Sequence, residues 1–127
     1  MRVILMTALA LLVACDGDDK DTSSTGGDSG SSGNGETTRT EDILALTGDA
    51  SSGAPVYTTN CQGCHAEDGS GTVGPALSGA DGKVNTLTDE QIVDAILNGV
   101  GTMPAYEFLS DQEAADLLAY LKDAFSA

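Results

Sequence analysis

The chain of 127 residues has no tryptophan, one histidine and only five aromatic side chains, Tyr57, Tyr106, Phe108, Tyr120 and Phe125. Side chains alone give it little material for a large core. A domain of roughly 80 residues buries a modest share of its surface and is marginal by itself. Something beyond its own side chains is expected to complete the interior. Basic residues are scarce as well, five against 20 acidic ones, for a formal charge of −15. Such a surface repels phosphate backbones and excludes nucleic acid as a partner. The partners it suits are proteins with basic docking patches, although acidity also serves solubility alone. No segment alternates apolar and polar residues as a half-buried strand would. Cysteine is rare too, at Cys15, Cys61 and Cys64, and an odd count in an exported chain asks for a special role for one of them.

The N-terminus reads as an export signal. Arg2 supplies a positive start and Val3 to Ala14 an apolar run. The run falls short of the roughly 20 apolar residues that span a bilayer. It ends in Leu12-Val13-Ala14-Cys15, which resembles the lipobox of bacterial lipoproteins, so residues 1–14 are expected to be removed and Cys15 acylated. The competing reading is an ordinary signal with an incidental cysteine. Residues 15–40 are rich in Asp, Ser, Thr and Gly, and too polar to offset their chain entropy. A flexible tether of that length spans roughly 25–30 Å. Order is expected from near Glu41, with Ile43, Leu44 and Leu46 in a short helical turn, and a single domain over 41–127. Lys83 and Lys122 are then its only cations.

Within that domain the pattern is helical. Ala54, Tyr57, Cys61 and Cys64 share one face of a helix over about 51–62. Thr88 with Gln91 forms a capping box for a helix over 89–98, whose buried stripe is Ile92, Val93, Ile96 and Leu97; Leu87 is placed to staple to Ile92. Ser110 with Glu113 caps a third helix over 111–125, with Leu117, Leu118, Leu121 and Phe125 facing inward. Between 66 and 86 lie five glycines, at 69, 71, 74, 79 and 82. A loop of that length needs something to wrap around.

The decisive segment is Cys61-Gln62-Gly63-Cys64-His65, because Cys-x-x-Cys-His is the attachment signature of c-type haem. Two thiols three residues apart reach the two vinyl groups of one haem, and the adjacent histidine then serves the iron. A thioredoxin-like dithiol wants a βαβ setting, which is absent. A structural zinc site wants four ligands, and Cys61, Cys64 and His65 supply three. His65 being the only histidine, the opposite axial ligand is another residue type, water or nothing. Met103 is the one methionine beyond the signal. Its setting, Gly101-Thr102-Met103-Pro104, lies in a loop off any apolar helical stripe, which argues against a role as core filler.

From about Ser52 to Phe125 the chain resembles the class I cytochrome c family. Gly53 and Tyr57 precede Cys61 where that family has a glycine and an aromatic residue. Gly74-Pro75-Ala76-Leu77 resembles its Gly-Pro-x-Leu loop, and Leu117-Leu118-Ala119-Tyr120-Leu121 its C-terminal helix. The resemblance implies an all-α bundle of three or more helices around one covalent haem c, with iron held by His65 and Met103. It implies that the Pro75 carbonyl accepts the Nδ1–H of His65, which fixes the ring and raises its basicity. It further implies that Leu77 packs on the haem face, and that Gly53 lets the first helix approach the last opposite Leu117 and Tyr120. The lysine-rich docking rim of the mitochondrial relatives is missing.

The function this implies is that of an electron carrier rather than an enzyme: monomeric, lipid-anchored on the periplasmic side of a bacterial membrane, passing single electrons to redox proteins. A haem with both axial positions filled offers no site for substrate, and a His/Met pair raises the reduction potential. The alternatives are a haem subunit of a dehydrogenase or peroxidase and, further off, a haem sensor in which a ligand displaces Met103. A peroxidase needs an acid–base group on the distal side, which without a second histidine falls to Asp, Glu or Tyr.

Overall fold

The computed structural model describes residues 34–127, with side chains from 39 onward. The signal segment, Cys15 and most of the tether lie outside the described residues. Among the described residues six helices follow one another: α1 (Asn34–Leu44), α2 (Ala50–Asn60), α3 (Gln62–His65), α4 (Lys83–Thr86), α5 (Asp89–Asn98) and α6 (Asp111–Phe125). No strand occurs among the described residues; a single antiparallel bridge joins Val100 and Met103. The all-α expectation holds.

The largest interhelical interface is the crossing of α2 and α6. Glycine makes it possible. A Cβ on Gly53 would collide with the Asp116 carbonyl and stand 2.8 Å from the Tyr120 Cβ. The close partner is therefore the backbone of Asp116 rather than Leu117, whose side chain turns into the core at 1 % exposure. Gly48, one turn earlier along the chain, meets the Ala115 carbonyl in the same way. The crossing is pinned by the buried Asp116, whose Oδ1 accepts from the Asp49 N–H and from Gln112 Nε2, each at 2.8 Å. Asp49 in turn caps α2, accepting from the Ser51 N–H.

α5 and α6 begin and end at the expected residues, and both capping boxes are formed. Their inward stripes are buried as the periodicity requires. Tyr57 stacks at a tilt on Tyr120 and Phe125, with centroids 5.2 and 5.3 Å away. Three of the five aromatic residues thus close the end of the α2–α6 crossing.

Two regions differ from the sequence expectation. The segment 66–86 contains α4 and its own backbone hydrogen bonds, among them Leu77 N–H to Gly69 O at 2.7 Å and Lys83 N–H to Ala76 O at 3.0 Å. It folds on itself as well as around the cavity. Order also begins earlier than Glu41, because α1 starts at Asn34. Arg39 reaches the Asp111 carboxylate at 2.9 Å, the Thr40 hydroxyl donates to Asp94, and Ile43 is 1 % exposed. These contacts hold a polar segment that periodicity alone does not mark as helix. Arg39 thereby joins Lys83 and Lys122 among the cations of the domain.

Candidate functional site

Cys61 closes α2, its N–H donating to the Tyr57 carbonyl at 2.8 Å, and opens α3, its carbonyl accepting from the His65 N–H at 3.0 Å. Cys61, Cys64 and His65 therefore lie on one continuous turn. The turn stops at Ala66, which takes a left-handed φ of 64°. The Tyr57 hydroxyl holds this strained residue by donating to its carbonyl at 2.6 Å. Burial of the Tyr57 ring pushes its phenol up to about 12, so it stays a donor throughout the neutral range.

After the turn the chain folds back under His65. The Cys64 carbonyl accepts from the Thr72 N–H at 3.0 Å and from the Gly74 N–H at 2.9 Å. This brings Gly74 flat against the imidazole, where a Cβ would stand 2.7 Å from His65 Cε1. It also sets the Pro75 carbonyl 2.9 Å from His65 Nδ1. A carbonyl only accepts, so the proton of the neutral ring sits on Nδ1 and the lone pair on Nε2.

His65 is buried at the edge of a cavity of about 450 Å³. That is within the range of roughly 300–1,000 Å³ typical of cofactor sites. Its walls include Leu77, Val84, Leu87, Ile92, Ile96, Leu117 and Leu121, with Cys61, Pro75 and Met103 beside them; Lys83 and Gln91 are its polar lining residues besides His65. Cys64 is exposed and lines a smaller recess of about 120 Å³, shared with Cys61, His65, Pro75 and Met103. Burial, and then the neighbouring Cys64, raises the Cys61 thiol to about 11. Neither cysteine is in a disulfide. Among the described residues no three His, Cys, Asp or Glu side chains converge as metal ligands would, which is what a zinc site requires.

Met103 enters from the opposite stretch of chain. Gly99 and Gly101 adopt left-handed φ values of 73° and 59°, and the Met103 N–H donates to Val100 O at 2.9 Å. Three residues on, Tyr106 spans the recess, its hydroxyl donating to the Asn60 carbonyl at 2.8 Å. Its own N–H donates to Ile96 O at 2.8 Å.

The structure thus gathers Cys61, Cys64, His65, Pro75, Leu77 and Met103 around two adjoining spaces; Cys15 lies outside the described residues. Sequence reasoning did not mark Tyr106, Gly48 or Arg39. The spacing of Tyr106 from Met103 was its only available signal. A set of apolar walls with two thiols, one oriented imidazole and one thioether fits a covalently held haem.

Residues 48–121 match the family model described as cytochrome c oxidase, cbb3-type, subunit III, which covers more than half of the chain. The chain belongs to the class I cytochrome c family. The cytochrome is 37% identical over 81 residues to a cytochrome c-553-like protein of Synechocystis, covering 63% of this chain and 73% of that one. To a cytochrome c6 of Picosynechococcus it is 32% identical over 89 residues, covering 62% and 76%. Cytochrome cL from Hyphomicrobium denitrificans superposes with a TM-score of 0.50 at 31% identity, over 57% of this chain and 45% of that one. The cytochrome therefore spans less than half the length of that structure. Its cofactor is one covalent haem c, and it is an electron-transfer protein rather than an enzyme.

Proposed function

We propose that this cytochrome is an extracytoplasmic shuttle that passes single electrons between redox proteins. In this reading Cys61 and Cys64 would form the thioethers, and His65 Nε2 and Met103 Sδ would hold the iron. Leu77 packs on the haem face. The observation that carries the reading is the hydrogen bond from His65 Nδ1 to the Pro75 carbonyl, at the border of an apolar cavity that Met103 also lines. The bond supports the reading because a proton on Nδ1 leaves the lone pair on Nε2, and it stiffens the ring against rotation. When bound, the haem supplies a one-electron iron couple in a site of low dielectric. The chain's part would be to ligate the iron through His65 and Met103 and to exclude water with Ile92, Ile96, Leu117 and Leu121.

Residues 1–14 act as a lipoprotein signal, Cys15 carries the acyl chains, and residues beyond it tether the domain to the periplasmic face of a membrane. More than one acyl chain gives a stable anchor, where one alone is marginal. The acidic surface steers the monomeric domain toward basic docking patches.

The ferrous protein tests the reading. A six-coordinate carrier stays inert to carbon monoxide, and its ferric form shows the weak long-wavelength absorption of methionine-ligated haem. Ready binding of carbon monoxide without that band sinks it. The description of the matching family model as an oxidase subunit favours a second reading, a haem subunit of a larger redox enzyme. Co-purification of the native protein in a stoichiometric complex decides for the second.

A further inference from the structure

Met103 sits in the segment 99–110, which leaves α5 and enters α6. Few backbone bonds hold it from within: Met103 N–H to Val100 O and Leu109 N–H to Tyr106 O, at 2.9 and 3.2 Å. Tyr106 ties its middle outward, its N–H to Ile96 O on α5 and its hydroxyl to Asn60 O, each at 2.8 Å. Both its roots are gripped from outside by neighbouring residues of α1. At the exit, Arg39 uses all three guanidinium nitrogens. Nε donates to Asp111 Oδ1 at 2.9 Å, Nη1 to the Glu107 carbonyl at 3.0 Å, and Nη2 to the Leu109 carbonyl. At the entry, the Thr40 hydroxyl donates to the Asp94 carboxylate on α5, one turn before the helix ends. Thr40 is 3 % exposed, and Ile43 anchors the same helix in the core. α1 also precedes residue 48, where the family match begins, so Arg39 and Thr40 lie outside the matched region while the groups they bind lie within it.

We infer that α1 is a brace across the roots of the Met103 segment, with Arg39 and Thr40 as positioning residues for the distal ligand. The inference rests on the reading of Met103 as that ligand. The ion pair with Asp111 contributes little by itself, since both side chains are partly exposed, at 30% and 48%. The two backbone carbonyls matter more, because they fix where residues 107 and 109 lie relative to α1. A planar fork reaches several acceptors at once; a lysine ammonium on a flexible stem does not hold that geometry.

The test uses the full-length haem protein with Arg39→Gln, Arg39→Lys and Thr40→Val. Amide hydrogen exchange is read at Met103 and Tyr106 in the segment and at Cys61 on α2, alongside the thermal loss of the ferric methionine band and of the whole fold. Arg39→Gln is expected to speed exchange at Met103 and Tyr106 by about tenfold or more, the factor for losing hydrogen bonds to a charged donor. Exchange at Cys61 stays unchanged, and the band is lost at a lower temperature than the fold. Arg39→Lys shows a smaller effect of the same sign, and Thr40→Val loosens the segment from its entry. Equal acceleration at all three amides, or none at Met103 and Tyr106, overturns the brace. A wild type without the band, whose segment amides still respond to Arg39→Gln, would instead overturn Met103 ligation and retain the brace.

Discussion

His65 has a hydrogen-bond partner that leaves no choice of tautomer, and this bears directly on redox chemistry. With Pro75 O fixed 2.9 Å from Nδ1, the ring presents Nε2 with its lone pair. On the proposed ligation Met103 would govern the distal side, its soft, neutral thioether favouring the ferrous state. Met103→Ala is expected to lower the reduction potential, abolish the ferric methionine band and admit carbon monoxide to the ferrous protein; potentiometry and a carbon monoxide titration check all three. Lys83, which also lines the cavity, is a poor substitute ligand because an ammonium group only donates and has no lone pair to offer iron. Tyr57 gives a pH prediction. Its phenol is raised from 10.0 to about 12, first by burial. The folded state therefore favours the protonated form, and stability is full below pH 10 and falls as pH rises toward 12. Tyr57→Phe is expected to cost about 1 kcal/mol near neutrality, for the lost bond to Ala66 O. It is also expected to flatten the alkaline fall, as melting temperatures across pH would reveal.

At the scale of elements, the α2–α6 crossing decides whether the domain closes. Gly53→Ala would gain about 1 kcal/mol in helix propensity. The added Cβ, however, meets the Asp116 carbonyl, a backbone atom that cannot swing aside. Overpacking of this kind costs about 1–3 kcal/mol, and against an immovable carbonyl the upper part of that range applies. Gly53→Ala is thus expected to lower the melting temperature despite the better helix former, and a rise would refute the close approach. The segment from 66 to 86 answers to the cofactor in part only. Cys61→Ala with Cys64→Ala is expected to abolish covalent haem, so that acid–acetone extraction strips the colour from the polypeptide. Retention of red colour by that double variant would refute thioether attachment. Bonds such as Leu77 N–H to Gly69 O and Lys83 N–H to Ala76 O let this segment keep some local order without haem.

At the scale of the whole molecule, charge and the proposed tether bear on the encounter with partners. Among the described residues Arg39 pairs with Asp111, and Lys122 with Asp89 at 2.7 Å. This leaves the acidic excess of the chain largely uncompensated. Electron transfer to a cationic partner is expected to slow as salt rises, because the Debye length falls from about 10 Å at 0.1 M to about 3 Å at 1 M. Stopped-flow rates that stay flat would show that the acidity serves solubility. Among the described residues no helix is long and apolar enough to cross a membrane; the attachment proposed above is through Cys15. Cys15→Ser is expected to release the protein to the soluble fraction or to leave an unprocessed precursor, by fractionation and intact mass.

The sequence by itself determined what is local. Cys61, Cys64 and His65 are adjacent, so one helical turn suffices to gather them. The capping boxes at Thr88–Gln91 and Ser110–Glu113 operate over three residues, and so the limits of α5 and α6 were legible. The Gly-Pro-x-Leu loop was readable through resemblance, and its carbonyl lies where that resemblance implied. What only the tertiary structure decided involves partners far apart in the chain. Arg39 finds Asp111 across 72 positions, and Tyr106 finds Asn60 across 46. α1 is polar, so its helix is stabilised by those distant groups and left no periodic trace. The atom that Gly53 approaches belongs to the Asp116 backbone, and side-chain patterns do not reveal which carbonyl a helix crossing will meet.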